Sequence, residues 1–183
     1  MNHDEATALL AEADLLVSEA EIGHAINRMA AEITDQLCDT TPVAMCVMNG
    51  GLIFAGRLLT KLPFPLEVDY VQATRYGQQT RGESLKWRVK PQLDLCGRTV
   101  LLLDDILDEG VTLGAIADFC REQGARDVLM AVLIEKLHLR KVIPGLRADF
   151  SGFEVGDRFV FGCGLDYKGY WRNAPAIYAV KHL

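Results

Sequence analysis

The chain has 183 residues, 50% of them hydrophobic, which suffices for one buried core with a small appendage and excludes two large domains. A formal net charge of -6 argues against a broad electrostatic attraction to nucleic acid, and no apolar run approaches the roughly 20 residues that cross a bilayer. Five scattered cysteines (Cys38, Cys46, Cys96, Cys120, Cys163) lack the spacing of a zinc site or redox dithiol, and the acidic start Met1-Asn2-His3-Asp4-Glu5 is unlike a signal peptide, so free thiols and a cytoplasmic protein are expected.

Ser18-Glu19-Ala20-Glu21 has capping-box spacing, and Ile22, Ile26, Met29, Ile33 and Leu37 follow at steps of three or four. That pattern predicts an amphipathic helix ahead of the sheet. Residues 42–48 read as a strand, Asn49-Gly50-Gly51 as a sharp turn, and 52–62 as a helix leading to a strand over 66–73, which together make a βαβ unit. The stretch 75–84 is polar and glycine-bearing before 85–89 recovers strand alternation. Such an insertion is either a lid, over about 75–90, or a solvated hairpin.

Residues 99–103 form a strand of aliphatic character, as in a parallel sheet covered on both faces. Asp104, Asp105 and Asp108 follow, and then Gly110 and Thr112 open a helix over 113–122 that Gly124 stops. A buried aspartate must be paired, hydrogen-bonded or bound to a cation, whereas N–H groups at a helix N-terminus attract phosphate. The combination suits a sugar phosphate. Its alternative is an ordinary strand-to-helix turn with solvated acids.

Residues 127–134 form the next strand, and short strands follow at 150–154 and 158–161. In 162–173 small, aromatic and charged residues alternate, either as a hood facing a ligand or as a surface loop held by Tyr and Trp packing. Strands alternating with helices predict an α/β fold, an open and mostly parallel sheet wrapped on both faces, with its crevice at the strands' C-terminal ends. Asn49-Gly50-Gly51, the acidic run and Glu135-Lys136 all fall there.

The run Val100 to Thr112 resembles the phosphoribosyl-diphosphate (PRPP) motif of type I phosphoribosyltransferases, with Glu109 where Thr is usual. Four segments between about 42 and 172 narrow the resemblance to the hypoxanthine-guanine branch. It implies one domain over 1–183, with a hood formed by the N-terminal segment and about 145–183. In that branch Asn49 and Gly50 hold pyrophosphate in a turn that can contain a cis peptide, although Lys often stands where this chain has Asn49. Arg75 and Tyr76 begin the lid. Asp104 and Asp105 hold the ribose hydroxyls directly or through Mg²⁺, and the amides of Asp108, Glu109, Gly110, Val111 and Thr112 hold the 5′-phosphate.

The resemblance also implies that Asp108 is the base for the purine N7 proton. The branch uses Lys136 on O6, Phe159 to stack on the purine, and the Val160 backbone to read its edge. Asp166 approaches the 2-position or a second Mg²⁺, and Arg172 clamps pyrophosphate. By composition alone Lys136 is equally a surface lysine. Glu109 must turn outward or meet a cation, because an acid close to a phosphate dianion is repulsive.

The implied reaction converts hypoxanthine or guanine with PRPP to IMP or GMP and pyrophosphate, with Mg²⁺ as cofactor. The chain is expected to form a homodimer or homotetramer through the helix after Gly51 and the strand from Leu66, with no nucleic-acid or membrane partner. Two rivals stand beside this reading: transfer to another base such as xanthine, and a PRPP- or nucleotide-sensing regulator that keeps the fold.

Overall fold

In the computed structural model, residues 1–74 and 86–181 are described. The first helix, α1 (His3–Glu12), is capped by Asn2 and buries only Ala6. It leads to β1 (Asp14–Val17), and then the capping box read from the sequence forms: Ser18 Oγ accepts from Glu21 N at 3.3 Å while Glu21 Oε2 accepts from Ser18 N at 2.8 Å. From that start α2 (Glu19–Leu37) buries Ile22, Ile26, Met29, Ile33 and Leu37 along one face.

The βαβ unit follows as β2 (Val43–Val47), α3 (Gly51–Leu59) and β3 (Glu67–Thr74). Helix α3 is shorter than the sequence suggested, with Thr60 as its C-cap and Pro63 following. Next come β4 (Lys86–Val89), β5 (Thr99–Leu107), α4 (Val111–Glu122), β6 (Asp127–Lys136), β7 (Phe150–Val155), β8 (Val160–Phe161) and β9 (Ile177–Ala179). The expected lid at about 75–90 lies largely outside the described residues; its end, β4, pairs antiparallel with β3.

Six strands form the main sheet in the order β4-β3-β2-β5-β6-β7, parallel except for β4. Ala44, Cys46, Leu101 and Leu103 pack on the side of α2 and α3, and Val43, Met45, Val100 and Leu102 on the side of α4. This alternation is the period of two expected of strands buried on both faces. β1, β9 and β8 form a separate antiparallel sheet that joins residues near both ends of the described chain.

Strand β5 corrects the sequence reading. It does not stop at Leu103, because Asp104, Ile106 and Leu107 keep their parallel pairing with Val132, Ile134 and Glu135. The two acids therefore sit inside the central strand, and helix α4 starts two residues earlier than expected.

Candidate active site

Three elements end together at one rim of the sheet. At β2 the turn is tight: the Met48–Asn49 peptide is cis, Gly50 is buried and Asn49 is exposed. A Cβ on Gly50 would collide with the Asp105 carboxylate, and one on Gly51 would lie 2.5 Å from the Leu103 carbonyl oxygen. Glycine lets the turn press against β5. The amide of Gln72 reaches the Asn49 side-chain oxygen at 3.4 Å.

Asp104 and Asp105 are nearly buried, at 9% and 8% exposure. Asp105 N donates to Asp104 Oδ1 at 2.9 Å. Burial, then the neighbouring Asp105, push the Asp104 carboxyl well above its ordinary value, and burial likewise raises Asp105. Arg172 opposes both shifts, with Nη1 3.6 Å from Asp105 Oδ2. The same guanidinium donates to the Gly164 carbonyl at 2.6 Å and pairs with Asp166. Gly164 has φ +109, and a Cβ there would strike the Gly50 carbonyl oxygen. Asn49-Gly50, Asp104, Asp105, Asp166 and Arg172 are thereby brought into one cluster.

Beyond β5 the chain turns through Gly110, whose φ of +81 and contact with Leu146 exclude a side chain. Helix α4 has no side-chain cap, and its first backbone bond is Gly114 N to Gly110 O at 2.9 Å. The N–H groups of Val111, Thr112 and Leu113 precede that bond, which leaves an anion-attracting helix start.

Asp108 belongs to a second cluster. Its Oδ2 accepts from Lys136 Nζ at 3.1 Å and its Oδ1 from His138 Nε2 at 2.6 Å. Partial burial pushes the carboxyl upward, but the hydrogen bonds from His138 and then Lys136 outweigh it and leave Asp108 below its ordinary value. Lys136 is 8% exposed, so it is no surface lysine, and Nζ also lies 3.9 Å from Asp157. Arg140 pairs with Asp157 through both terminal guanidinium nitrogens, and its Nε stands 3.8 Å from Glu109. Glu109 has therefore met a cation. Phe159 is 42% exposed and packs edge-on to Tyr167 with centroids 5.1 Å apart, while Val160 is buried in β8.

Arg75 and Tyr76 lie outside the described residues. His138, Arg140 and Asp157 were missed as site residues. The available signal was spacing: in extended chain, residues 136 and 138 point to one side.

A family model described as phosphoribosyl transferase domain matches residues 14–168. The chain is 36% identical over 169 residues to the hypoxanthine-guanine phosphoribosyltransferase of Bacillus subtilis, covering 91% of this chain and 92% of that one. It is 30% identical to the hypoxanthine-guanine-xanthine phosphoribosyltransferase of Tritrichomonas foetus, with 91% of each covered. Among solved structures, a hypoxanthine-guanine phosphoribosyltransferase from Bacillus anthracis superimposes with a TM-score of 0.85 at 28% identity, over 91% of this chain and 98% of that one.

Proposed function

We infer the reaction from the premise that this chain belongs to the phosphoribosyl transferase domain family. It is a purine-salvage phosphoribosyltransferase that converts hypoxanthine or guanine and PRPP to IMP or GMP and pyrophosphate. The structural observation that carries the residue roles is the convergence of three features along and just past β5: a buried aspartate pair, an uncapped helix start, and Asp108 hydrogen-bonded to Lys136.

Breaking the bond from C1′ to pyrophosphate builds positive charge on the ribose and negative charge on the leaving group. Arg172, already braced by Gly164 and Asp166, is the forked donor for that leaving group, beside the Gly50 turn. The α4 N-terminus with Thr112 holds the 5′-phosphate. Asp104 and Asp105 hold the ribose hydroxyls, which fixes C1′ relative to the purine. Lys136 donates to O6, since an ammonium is a donor with no acceptor and suits a 6-oxo group. As N9 attacks C1′, Asp108 takes the proton from N7, a role typically worth about 10²–10⁴-fold. Phe159, half exposed beside Tyr167, offers the stacking face.

The acids fit Mg²⁺. Two adjacent buried carboxylates share one guanidinium, 3.6 Å from Asp105, so both ionise fully only when a further cation joins them, and Mg²⁺ is held by one or two carboxylates together with substrate oxygens. Asp104 and Asp105 would hold it, with Asp166 as a second position. Bound there with PRPP, it would stabilise charge on the departing pyrophosphate.

Three further readings have their own support. Xanthine is a third base, favoured by the relative named for all three. A homodimer or homotetramer is favoured by exposed Leu52, Val68 and Tyr70: Val68 and Tyr70 pair with Ala44 and Cys46, so they point to the α3 side of the sheet. A cytoplasmic location fits the five unpaired cysteines.

Nucleotide formation from PRPP, Mg²⁺ and each base tests the substrate set. Asp108→Asn is expected to keep PRPP binding and lower turnover at least about 10²-fold. Near-normal turnover removes Asp108 from the role of base. A purely monomeric mass in solution removes the assembly.

A further inference from the structure

His138 is held too firmly to be a bystander. Its side chain is 5% exposed, and its two ring nitrogens are both engaged, Nε2 with Asp108 Oδ1 at 2.6 Å and Nδ1 with the Arg140 backbone N–H at 3.1 Å. A backbone N–H can only donate, so Nδ1 is the acceptor and the neutral ring carries its proton on Nε2. The loop beyond is anchored as well. Fully buried Glu135 accepts from Lys141 Nζ at 2.8 Å and faces Arg147 Nε at 2.7 Å.

Both oxygens of Asp108 are thus occupied, one by His138 and one by Lys136. If Asp108 accepts the N7 proton, one oxygen must be vacated. Lys136 has somewhere to go, being a compact ammonium on a flexible stem with the purine O6 as its new partner. The imidazole, bonded through both nitrogens, does not.

We propose that His138 is the positioning residue for proton transfer from the purine: it keeps Oδ1 of Asp108 engaged and the carboxylate oriented while Lys136 moves to O6 and Oδ2 takes the proton. This rests on the purine-transfer reading of Asp108. In the step the N7–H bond breaks and Asp108 Oδ2 gains the proton. The N9–C1′ bond forms, the C1′–O bond to pyrophosphate breaks, and its electron pair leaves with pyrophosphate. His138 neither gains nor loses a proton. The charged groups around the pair are Lys136, Arg140, Asp157 and Glu109, all of which remain when His138 is replaced.

The experiment compares His138→Leu, His138→Gln and Asp108→Asn with the unmodified protein, measuring kcat, both KM values and the pH profile of kcat/KM with hypoxanthine. The Leu variant is expected to lose about ten-fold in kcat with KM for PRPP unchanged. Its acid limb should move up by roughly one pH unit, because a hydrogen bond to the ionised carboxylate has been removed. The Gln variant retains an N–H donor at similar reach and should recover most of kcat and restore the limb.

An unmoved limb and unchanged kcat in the Leu variant, with Asp108→Asn still disabled, overturn the role of His138 and leave the purine reading standing. Full turnover in Asp108→Asn overturns the reading beneath it instead. If the Leu chain does not fold, His138→Asn decides: its amide is too short for Asp108, so the same loss is expected, and unaltered values overturn the role.

Discussion

Asp104 sits where a carboxylate resists ionising, because burial and the adjacent Asp105 both raise its pKa. The ligand-free fold bears that cost. Between the unfolded carboxyl's pKa of about 3.9 and its raised folded value, the native state binds more protons than the unfolded state, so stability falls as pH rises across that window. Asp104→Asn keeps an oxygen for the Asp105 N–H and should raise the melting temperature without ligand, by more at pH 8 than at pH 5, while weakening PRPP binding with Mg²⁺. A lower melting temperature at pH 8 would show that the carboxylate serves the fold. Glu109 offers the opposite trade. Its pairing with Arg140 is long and half exposed, worth about 0–1 kcal/mol, so Glu109→Thr should leave stability nearly unchanged. Removing an anion beside the phosphate should lower KM for PRPP a few-fold, and a raised KM would count against the phosphate site at the α4 start.

Among the elements, α2 was legible because nineteen residues carry one face and one cap. Ser18→Ala removes an acceptor for Glu21 N and should cost about 1 kcal/mol in urea unfolding; no loss would mean the cap is redundant. α1, β1 and β9 were not legible. α1 buries only Ala6, and β1 and β9 are four and three residues whose pairing joins Asp14 to Ala179, a contact no local pattern records. The end of β5 was misread for a related reason: paired acids look like a strand's end, yet β6 holds them in register. The PRPP-like run marked Asp104, Asp105 and Asp108 directly, since the chemistry there is local in sequence. His138, Arg140 and Asp157 join the site through tertiary packing: the two-residue step from Lys136 hinted at His138, and Asp157 opened the hood segment of the family resemblance without a role of its own.

At the scale of the molecule, the segment that carries Asp166 and Arg172 is tied to the far end of the chain. Trp171 Nε1 donates to the Ala6 carbonyl at 2.7 Å, Tyr170 Oη to that of Met1 at 2.8 Å, and Arg158 pairs with Asp14 at 2.6 Å. Deleting residues 1–12 should therefore destabilise the fold by on the order of 2 kcal/mol and raise KM for PRPP more than KM for the purine. Equal effects on both would mean that these ties do not steer Arg172. What lies at the centre of the sheet has a different consequence. Asp105 and Asp108 are three residues apart along and just past β5, about 10 Å at roughly 3.3 Å per residue. The strand is a gauge: wherever the outer parts move, the interval between sugar and base stays fixed by backbone geometry. Selection among purines can drift in the flanking segments, whereas inserting a single residue between Asp105 and Asp108 would break the gauge for every base at once.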